Sequence, residues 1–111
     1  MQQIRTDVYE SLMVTPVTEI PKGEVDSLGD AVEKPSKTYR GYAYEGFEKV
    51  LNFSGEEELS NMQIYLRGQD ASEIANTSLI SCASAVKQRI IAKKLYRGRD
   101  GIVVLGVVYL P

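Results

Sequence analysis

Apolar and polar residues alternate with a period of two along much of the chain, and this pattern predicts β-strands. The alternation is clearest over 37–53, where aromatic residues such as Tyr39 and Tyr44 also favour strands. Gly46 interrupts this segment, which predicts a bulge or bend at that point. A further strand is predicted over 62–66, since its apolar residues all fall on one face.

The two ends of the chain also predict strands. Residues 11–17 have the pattern of a first strand, and Pro16 favours an edge position or a strand end because proline lacks the amide donor. Near the C terminus, Asp100-Gly101 is a hairpin signal between Leu95-Tyr96 and the β-branched run Ile102–Leu110.

The segments between these strands have other patterns. Proline and glycine make 21–30 a turn-rich linker, and 54–61 has the composition of an acidic loop. Asp70 and Glu73 have capping-box spacing, which predicts the start of a single helical turn through Asn76. Residues 77–92 fit helix spacing at some positions and strand composition at others, and we predict two strands there.

Together these elements predict a mainly β protein, a small antiparallel β-barrel or sandwich with long loops and one short helix. Short strands joined by turns must close up to hide their edges. The 111 residues leave room for one domain. We expect a flexible N-terminal segment over 1–10 and a single β-barrel-like domain over 11–110.

Composition narrows the function classes. Apolar residues make up 43% and charged residues 25%, as in soluble proteins. The longest apolar run, Ile102–Leu110, is too short to span a bilayer, and no apolar leader opens the sequence, so we expect neither export nor membrane insertion. There is no histidine and only one cysteine, Cys82, which sits in an apolar stretch that favours a buried structural thiol. We therefore expect neither an enzyme nor a cofactor-binding or metal-binding protein.

Charge is distributed unevenly along the chain. Residues 1–61 hold twelve acidic and six basic residues, whereas residues 62–111 hold three acidic and seven basic ones. This asymmetry fits a nucleic-acid patch, complementary faces that pair neighbouring copies, or simply solvated sheet faces. Only Tyr96 interleaves the basic positions of the second half, which gives little support to a base-stacking platform.

The run Glu56-Glu57-Glu58 is the first candidate for site chemistry. Three carboxylates could hold a hard cation through oxygen ligands. However, adjacent residues point in different directions, and we interpret the run as a solvated loop. The seven tyrosines fit either an interface or cross-strand packing, of which packing is the commoner.

The order of these features resembles the head-closure (head-to-tail stopper, or head-completion) proteins of tailed bacteriophages. Met13-Val14-Thr15-Pro16-Val17 resembles the opening strand of that family, and Val25–Asp30 resembles its Asp-x-x-Gly loop. The segment Tyr39–Ala43 is similar to the next barrel strand, and Ile64–Asp70 to the entry into the second half. The closing run 100–110 is similar to the C-terminal strand of the family.

The resemblance implies a structural role in the virion neck. Such proteins form a ring, typically of twelve copies, that closes the DNA exit channel after packaging and offers the surface for tail attachment. The implied partners are portal or adaptor ring proteins, a tail-completion or tail-terminator protein, other copies of the chain, and passing double-stranded DNA. The implied location is the virion, after synthesis in the bacterial cytoplasm.

The resemblance also assigns candidate residues. The long channel-facing loop of the family corresponds to Ser54, Gly55, Glu56, Glu57, Glu58 and Leu59. With the charge asymmetry, it suggests ring contacts at Asp26, Asp30, Arg89, Lys93, Lys94, Arg97 and Arg99. Acidic side chains in the channel would repel DNA weakly rather than grip it.

Two other functions stay open at this point. One is a different neck or tail ring protein, such as a largely helical adaptor or a tail terminator. The other is a small β-barrel module that binds nucleic acid through the basic second half, with the salt dependence such binding shows.

Overall fold

The structure is a computed structural model and describes residues 12–25, 31–32 and 35–111. These residues form nine strands and a short helix, α1. The elements in chain order are β1 Thr15–Ile20, β2 Glu24–Val25, β3 Ala31–Val32, β4 Lys37–Leu51, β5 Glu57–Arg67, α1 Gly68–Glu73, β6 Leu79–Cys82, β7 Ala85–Arg89, β8 Ala92–Arg97 and β9 Val103–Leu110.

Seven of the strands form one antiparallel sheet in the order β7-β6-β1-β4-β5-β9-β8, and β2 pairs with β3 in a separate ribbon. The two edge strands, β7 and β8, are consecutive in the chain and are joined only by Ile90 and Ile91. The edges of the sheet must therefore approach each other at this end, so the sheet curls toward a barrel. The predicted mainly β, barrel-like class is confirmed.

The core lies on the concave face of the curled sheet. Val17, Ile64 and Ile80 are fully buried there, and Val108 and Leu110 belong to the same cluster. Cys82 belongs to this cluster, and its burial raises the pKa of the thiol. The prediction of a buried structural thiol is confirmed.

Helix α1 closes one end of the barrel against β9. A Cβ atom on Gly68 would lie 1.9 Å from the carbonyl oxygen of Val103, and one on Gly106 would lie 2.1 Å from the Cβ of Ala71. Both positions require glycine because the helix backbone and the strand approach so closely. The capping-box prediction placed the helix start at Asp70. The helix instead begins at Gly68, after the extended Arg67, and no side chain caps it.

Strands β4 and β5 form the longest ribbon of the sheet. The predicted bulge at Gly46 is confirmed, since the register shifts between Glu45 and Glu48. Gln63 stabilises this irregularity, because its side-chain amide donates a hydrogen bond of 2.9 Å to the carbonyl oxygen of Gly46. The strand continues beyond the bulge to Leu51.

The acidic loop predicted over 54–61 is much shorter than expected. Residues Glu57–Asn61 belong to β5, and Glu57–Ser60 pair with the last four residues of β4, leaving only 52–56 as the turn. Charged residues are compatible with a strand here because this part of the ribbon extends past β9, which pairs with β5 only from Met62 onward.

Strand β1 spans Thr15–Ile20 rather than the predicted 11–17, and it lies inside the sheet rather than at its edge. The other position predicted for Pro16, a strand end, is the one found, since Pro16 is the second residue of β1. Pro16 is tolerated there because β6 pairs with β1 only from Val17 onward, so the proline has a strand neighbour on one side alone. The two strands predicted within 77–92 and the C-terminal hairpin are confirmed, with Gly101 at φ +82° in the turn. The expected flexible segment 1–10 lies outside the described residues.

Candidate interaction site on the β4–β5 hairpin

The turn of the β4–β5 hairpin is built around Asn52. The Asn52 side-chain oxygen accepts hydrogen bonds from the backbone amides of Ser54 (2.9 Å) and Glu56 (3.0 Å). The backbone amide of Asn52 donates a hydrogen bond of 2.8 Å to the carbonyl oxygen of Glu56, and Gly55 adopts φ +81°. Because an L side chain rarely adopts this φ, glycine suits position 55. These bonds hold the exposed residues of the turn in a defined shape.

Glu58 is held against the body of the protein. Its carboxylate forms an ion pair with the Arg89 guanidinium at the end of β7, including a hydrogen bond of 3.3 Å from Nη1 to Oε1. The side-chain amide of Asn52 donates a further hydrogen bond of 3.2 Å to the Glu58 carboxylate. These two donors, Arg89 first, lower the pKa of Glu58 below its usual range. We call this contact the clasp.

Apolar packing supports the clasp on the same face of the hairpin. Val50, which pairs with Glu58, is buried in a cluster with Ile91, Ala92 and Tyr109. One face of the hairpin therefore rests on the segment that joins β7 to β8.

The other face of the hairpin is exposed, and it carries the charged residues Lys49 and Glu57 beside several large apolar side chains. Phe47 is 82% exposed, the largest value among the large apolar residues described, and Leu51 is 64% exposed. Leu59 and Phe53 are also exposed. Glu57 is the cross-strand partner of Leu51 and lies on the same face. We call this surface the hairpin face; exposed apolar patches of this kind typically mark interaction sites.

The three predicted channel-facing glutamates are thus separated. Glu56 lies in the turn with Ser54 and Gly55, Glu57 lies on the hairpin face with Leu59, and Glu58 is held in the clasp. Strand alternation causes this division, since successive residues point to opposite faces. Among the described residues no group of three acidic, cysteine or histidine side chains could hold a metal ion.

The predicted ring-contact residues do not form one patch. Arg89 is in the clasp, and the Lys93 ammonium points inward, donating to the carbonyl oxygens of Ala71 (3.0 Å) and Ile74 (2.8 Å) behind α1. Burial lowers the pKa of Lys93. Asp26 and Asp30 lie outside the described residues.

The remaining cations of that set lie along β8 and the turn that follows it. The Lys94 ammonium lies 5.3 Å from the centre of the Tyr109 ring. Arg97 donates a hydrogen bond of 2.9 Å to the Gly101 carbonyl, and Arg99 is exposed in the β8–β9 turn. Lys94 and Arg97 are exposed as well, so this end of the sheet is basic.

A cleft opens beside the hairpin. Its volume is about 460 Å³, and it separates Glu45, Gly46 and Phe47 of β4 from the β6–β7 turn. Ser84 and Ala85 form the opposite wall, and the Ser84 hydroxyl donates a hydrogen bond of 2.6 Å to the Glu45 carboxylate.

A group of aromatic and basic residues on the convex face of β4 and β5 was not predicted from the sequence. Tyr42 pairs with Tyr65, with ring centres 6.1 Å apart, and together with Leu12 and Tyr44 they line a cleft of about 250 Å³. Arg40, two residues from Tyr42 along the same strand, and Arg67, two residues from Tyr65, extend this face and are exposed. The signal available in the sequence was that Arg40, Tyr42 and Tyr44 are two residues apart, which places them on one face of the strand.

A buried polar group was also missed. Glu19 is only 4% exposed and accepts hydrogen bonds from the Tyr39 hydroxyl (3.1 Å), the Ala75 amide (3.0 Å) and the Ser78 hydroxyl (2.7 Å). Glu19 is two residues after the inward-facing Val17, so strand alternation placed it in the interior. This group ties β1 to the segment after α1 and is structural.

No helix among the described residues has the length and apolar character needed to cross a membrane.

Comparison with known proteins does not assign the chain to a family. The sequence matches no protein-family model, and no curated protein matches it either.

Proposed function

We propose that this chain is a structural protein of the neck of a tailed bacteriophage. Copies of it form a ring below the portal and adaptor rings, close the DNA exit channel after packaging and provide the surface for tail attachment. The observation that carries this proposal is the β4–β5 hairpin, which extends beyond a small barrel and presents several large apolar side chains to solvent. A ring subunit needs such a projecting element to reach the channel or a neighbour.

The turn 52–56 is the part of the hairpin that would face the channel. Glu56 is exposed there and Glu57 is exposed beside it, whereas Glu58 is turned toward Arg89. Two exposed carboxylates per copy, repeated around a ring, make a weakly repulsive rim for the DNA polyanion. Such a rim allows DNA to pass during ejection, while the narrowing made by the hairpins themselves retains it beforehand.

Electron microscopy of a lysate tests this proposal. In a phage or prophage that carries this gene, we expect an in-frame deletion to yield emptied heads and complete free tails, and a plasmid copy to restore tailed particles. Tailed, infectious particles from the deletion strain would contradict the neck assignment. Intact heads with tails of abnormal length would point instead to a tail terminator, and the strand-rich fold already disfavours a helical adaptor.

One observation favours a second function, binding of single-stranded nucleic acid. On one face, the exposed rings of Tyr42 and Tyr44 lie beside the half-buried Tyr65 and the cations Arg40 and Arg67, a combination that stacking platforms use. If this face binds, the affinity for a labelled oligonucleotide falls steeply with salt. Binding would also be lost in Arg40→Ala/Arg67→Ala and kept in Lys22→Ala/Lys87→Ala. Equal binding by both variants, or none by the parent protein, rejects this function.

A further inference from the structure

The hairpin face belongs to a part of the sheet that is only two strands wide. Among the described strands, β4 pairs with β5 alone from Tyr42 onward, and β9 joins β5 only from Met62 onward. The opposite face of this ribbon is held against the body of the protein by Val50 and by the clasp. The hairpin face is therefore the side of the ribbon that a partner can reach.

Four exposed residues form the centre of the hairpin face. Lys49 is the cross-strand partner of Leu59. Two residues along each strand, Leu51 is the cross-strand partner of Glu57. The four residues therefore mark the corners of a rectangle of about 5 by 7 Å, set by the strand spacing and by the rise of two residues. The two leucines lie on one diagonal, and the cation and the anion lie on the other.

This arrangement is complementary to itself. In a two-fold contact the same patch meets its own copy, so the residues that touch are exchanged between the two subunits. A two-fold axis along the leucine diagonal brings Lys49 of each copy to Glu57 of the other, and it brings each leucine to its own counterpart. The two ribbons then cross at roughly a right angle, which is one of the two arrangements in which sheets pack face to face.

We propose that the free protein forms a two-fold dimer through the hairpin face, in which Lys49 of each copy pairs with Glu57 of the other around Leu51 and Leu59. The patch is small beside the roughly 20–30 residues that each partner contributes to a stable interface, so the dimer is weak and its population rises with protein concentration.

This dimer goes beyond the proposed neck function and does not depend on it. A contact that uses the same face of both copies closes at two subunits and cannot continue to a third. A ring that holds the hairpins in its channel therefore excludes the dimer, which is a state of the chain before assembly.

Mixing two single charge variants tests the contact directly. Lys49→Glu places acid against acid across the axis, and Glu57→Lys places base against base, so each variant alone should associate about tenfold more weakly than the parent. An equimolar mixture places acid against base at both positions, so association should return at least to the parent level. Sedimentation equilibrium over a range of concentrations measures each association constant.

The matched controls make the same two charge changes elsewhere. Lys87→Glu lies on β7 and Glu73→Lys lies at the end of α1, and both positions are exposed. These variants, alone or mixed, should associate as the parent does. The proposal is overturned if mixing the two test variants gives no gain, if mixing the controls gives an equal gain, or if the parent remains a monomer at the highest concentration.

Removal of the leucines tests the apolar part of the contact. Leu51→Ser/Leu59→Ser should weaken association about tenfold, because the dimer buries both side chains at the axis. Val86→Ser/Ile102→Ser changes two other exposed apolar residues and should leave association unchanged. Circular dichroism checks that both variants keep their strand content. Equal loss in the two variants would indicate non-specific association and contradict the dimer.

Discussion

At the residue scale, the buried carboxylate of Glu19 is the most consequential polar group in the described structure. A charge can be buried in this way only when hydrogen bonds replace its lost water. Tyr39, Ala75 and Ser78 supply these bonds, and Lys93 lies near enough to act on Glu19 electrostatically. The carboxylate and the burial of the ring together raise the pKa of Tyr39 to about 12, with burial the larger cause.

Replacing Glu19 should therefore destabilise the fold. We expect Glu19→Ala to lower the free energy of unfolding by about 2–4 kcal/mol, since several buried donors lose their acceptor at once. Urea denaturation followed by circular dichroism measures the change. Glu73→Ala, at an exposed position at the end of α1, is the control and should cost well under 1 kcal/mol. A loss for Glu19→Ala no larger than that of the control would contradict the structural role.

The clasp makes a prediction about pH. Because the folded-state pKa of Glu58 is below its unfolded value, the clasp contributes stability above the unfolded value of about 4.5 and loses it as pH falls through the folded pKa. Carboxyl NMR titration should show Glu58 with a lowered pKa that returns toward its usual value in Arg89→Gln. Arg99→Gln is the matched control and should leave the Glu58 titration unchanged. An ordinary Glu58 pKa in the parent protein would argue against the clasp.

At the element scale, the close contact between α1 and β9 decides where the helix sits. Gly68→Ala should lower the free energy of unfolding by roughly 1–3 kcal/mol, because the added methyl meets the Val103 backbone rather than a flexible side chain. Gly98→Ala is the matched control, since its added methyl meets neighbours only at 3.3 Å and beyond. Thermal unfolding of both variants measures the difference. Equal stability of Gly68→Ala and the parent would show that the helix lies farther from β9.

The sequence predicted those elements that a local pattern specifies, either the alternation of apolar residues or a characteristic glycine. Alternation identified the strand at 62–66, Gly46 marked the bulge, and Asp100-Gly101 marked the last hairpin. Tertiary contacts decided the rest. The helix begins at Gly68 because of its approach to Val103, a contact between residues distant in the chain.

The candidate site was less accessible from sequence than the fold. The acidic run drew attention to the right hairpin, yet only the strand register shows that Glu57 and Glu58 face opposite ways. The pairing of Glu58 with Arg89 joins two segments that no local pattern connects. The sequence predicted that β1 begins at residue 11, whereas the strand begins at Thr15.

At the scale of the whole molecule, a small curled sheet carries a hairpin that projects beyond it. A curled sheet usually closes to hide its edges. Among the described residues, β4 continues well past β1 and pairs with β5 alone from Tyr42 onward.

The assembled ring makes a prediction about DNA release. Glu56→Lys/Glu57→Lys should slow ejection severalfold, because the channel rim would attract the polyanion instead of repelling it. Ejection triggered from purified virions and followed by a DNA-binding dye measures the rate. Glu73→Lys, which reverses a charge at the exposed end of α1, away from the turn, is the control and should eject at the parent rate. Parent-like ejection by the double lysine variant would contradict the channel-facing placement of the turn.

The most direct test of the neck assignment is the location of this protein in the assembled particle. An epitope tag, placed where it does not reduce infectivity, is located by gold-labelled antibody and electron microscopy of purified virions. The neck proposal predicts label at the head–tail junction of tailed particles and its absence from tails released without heads. Label along the tail or over the head surface, or particles that carry none of this protein, would contradict it.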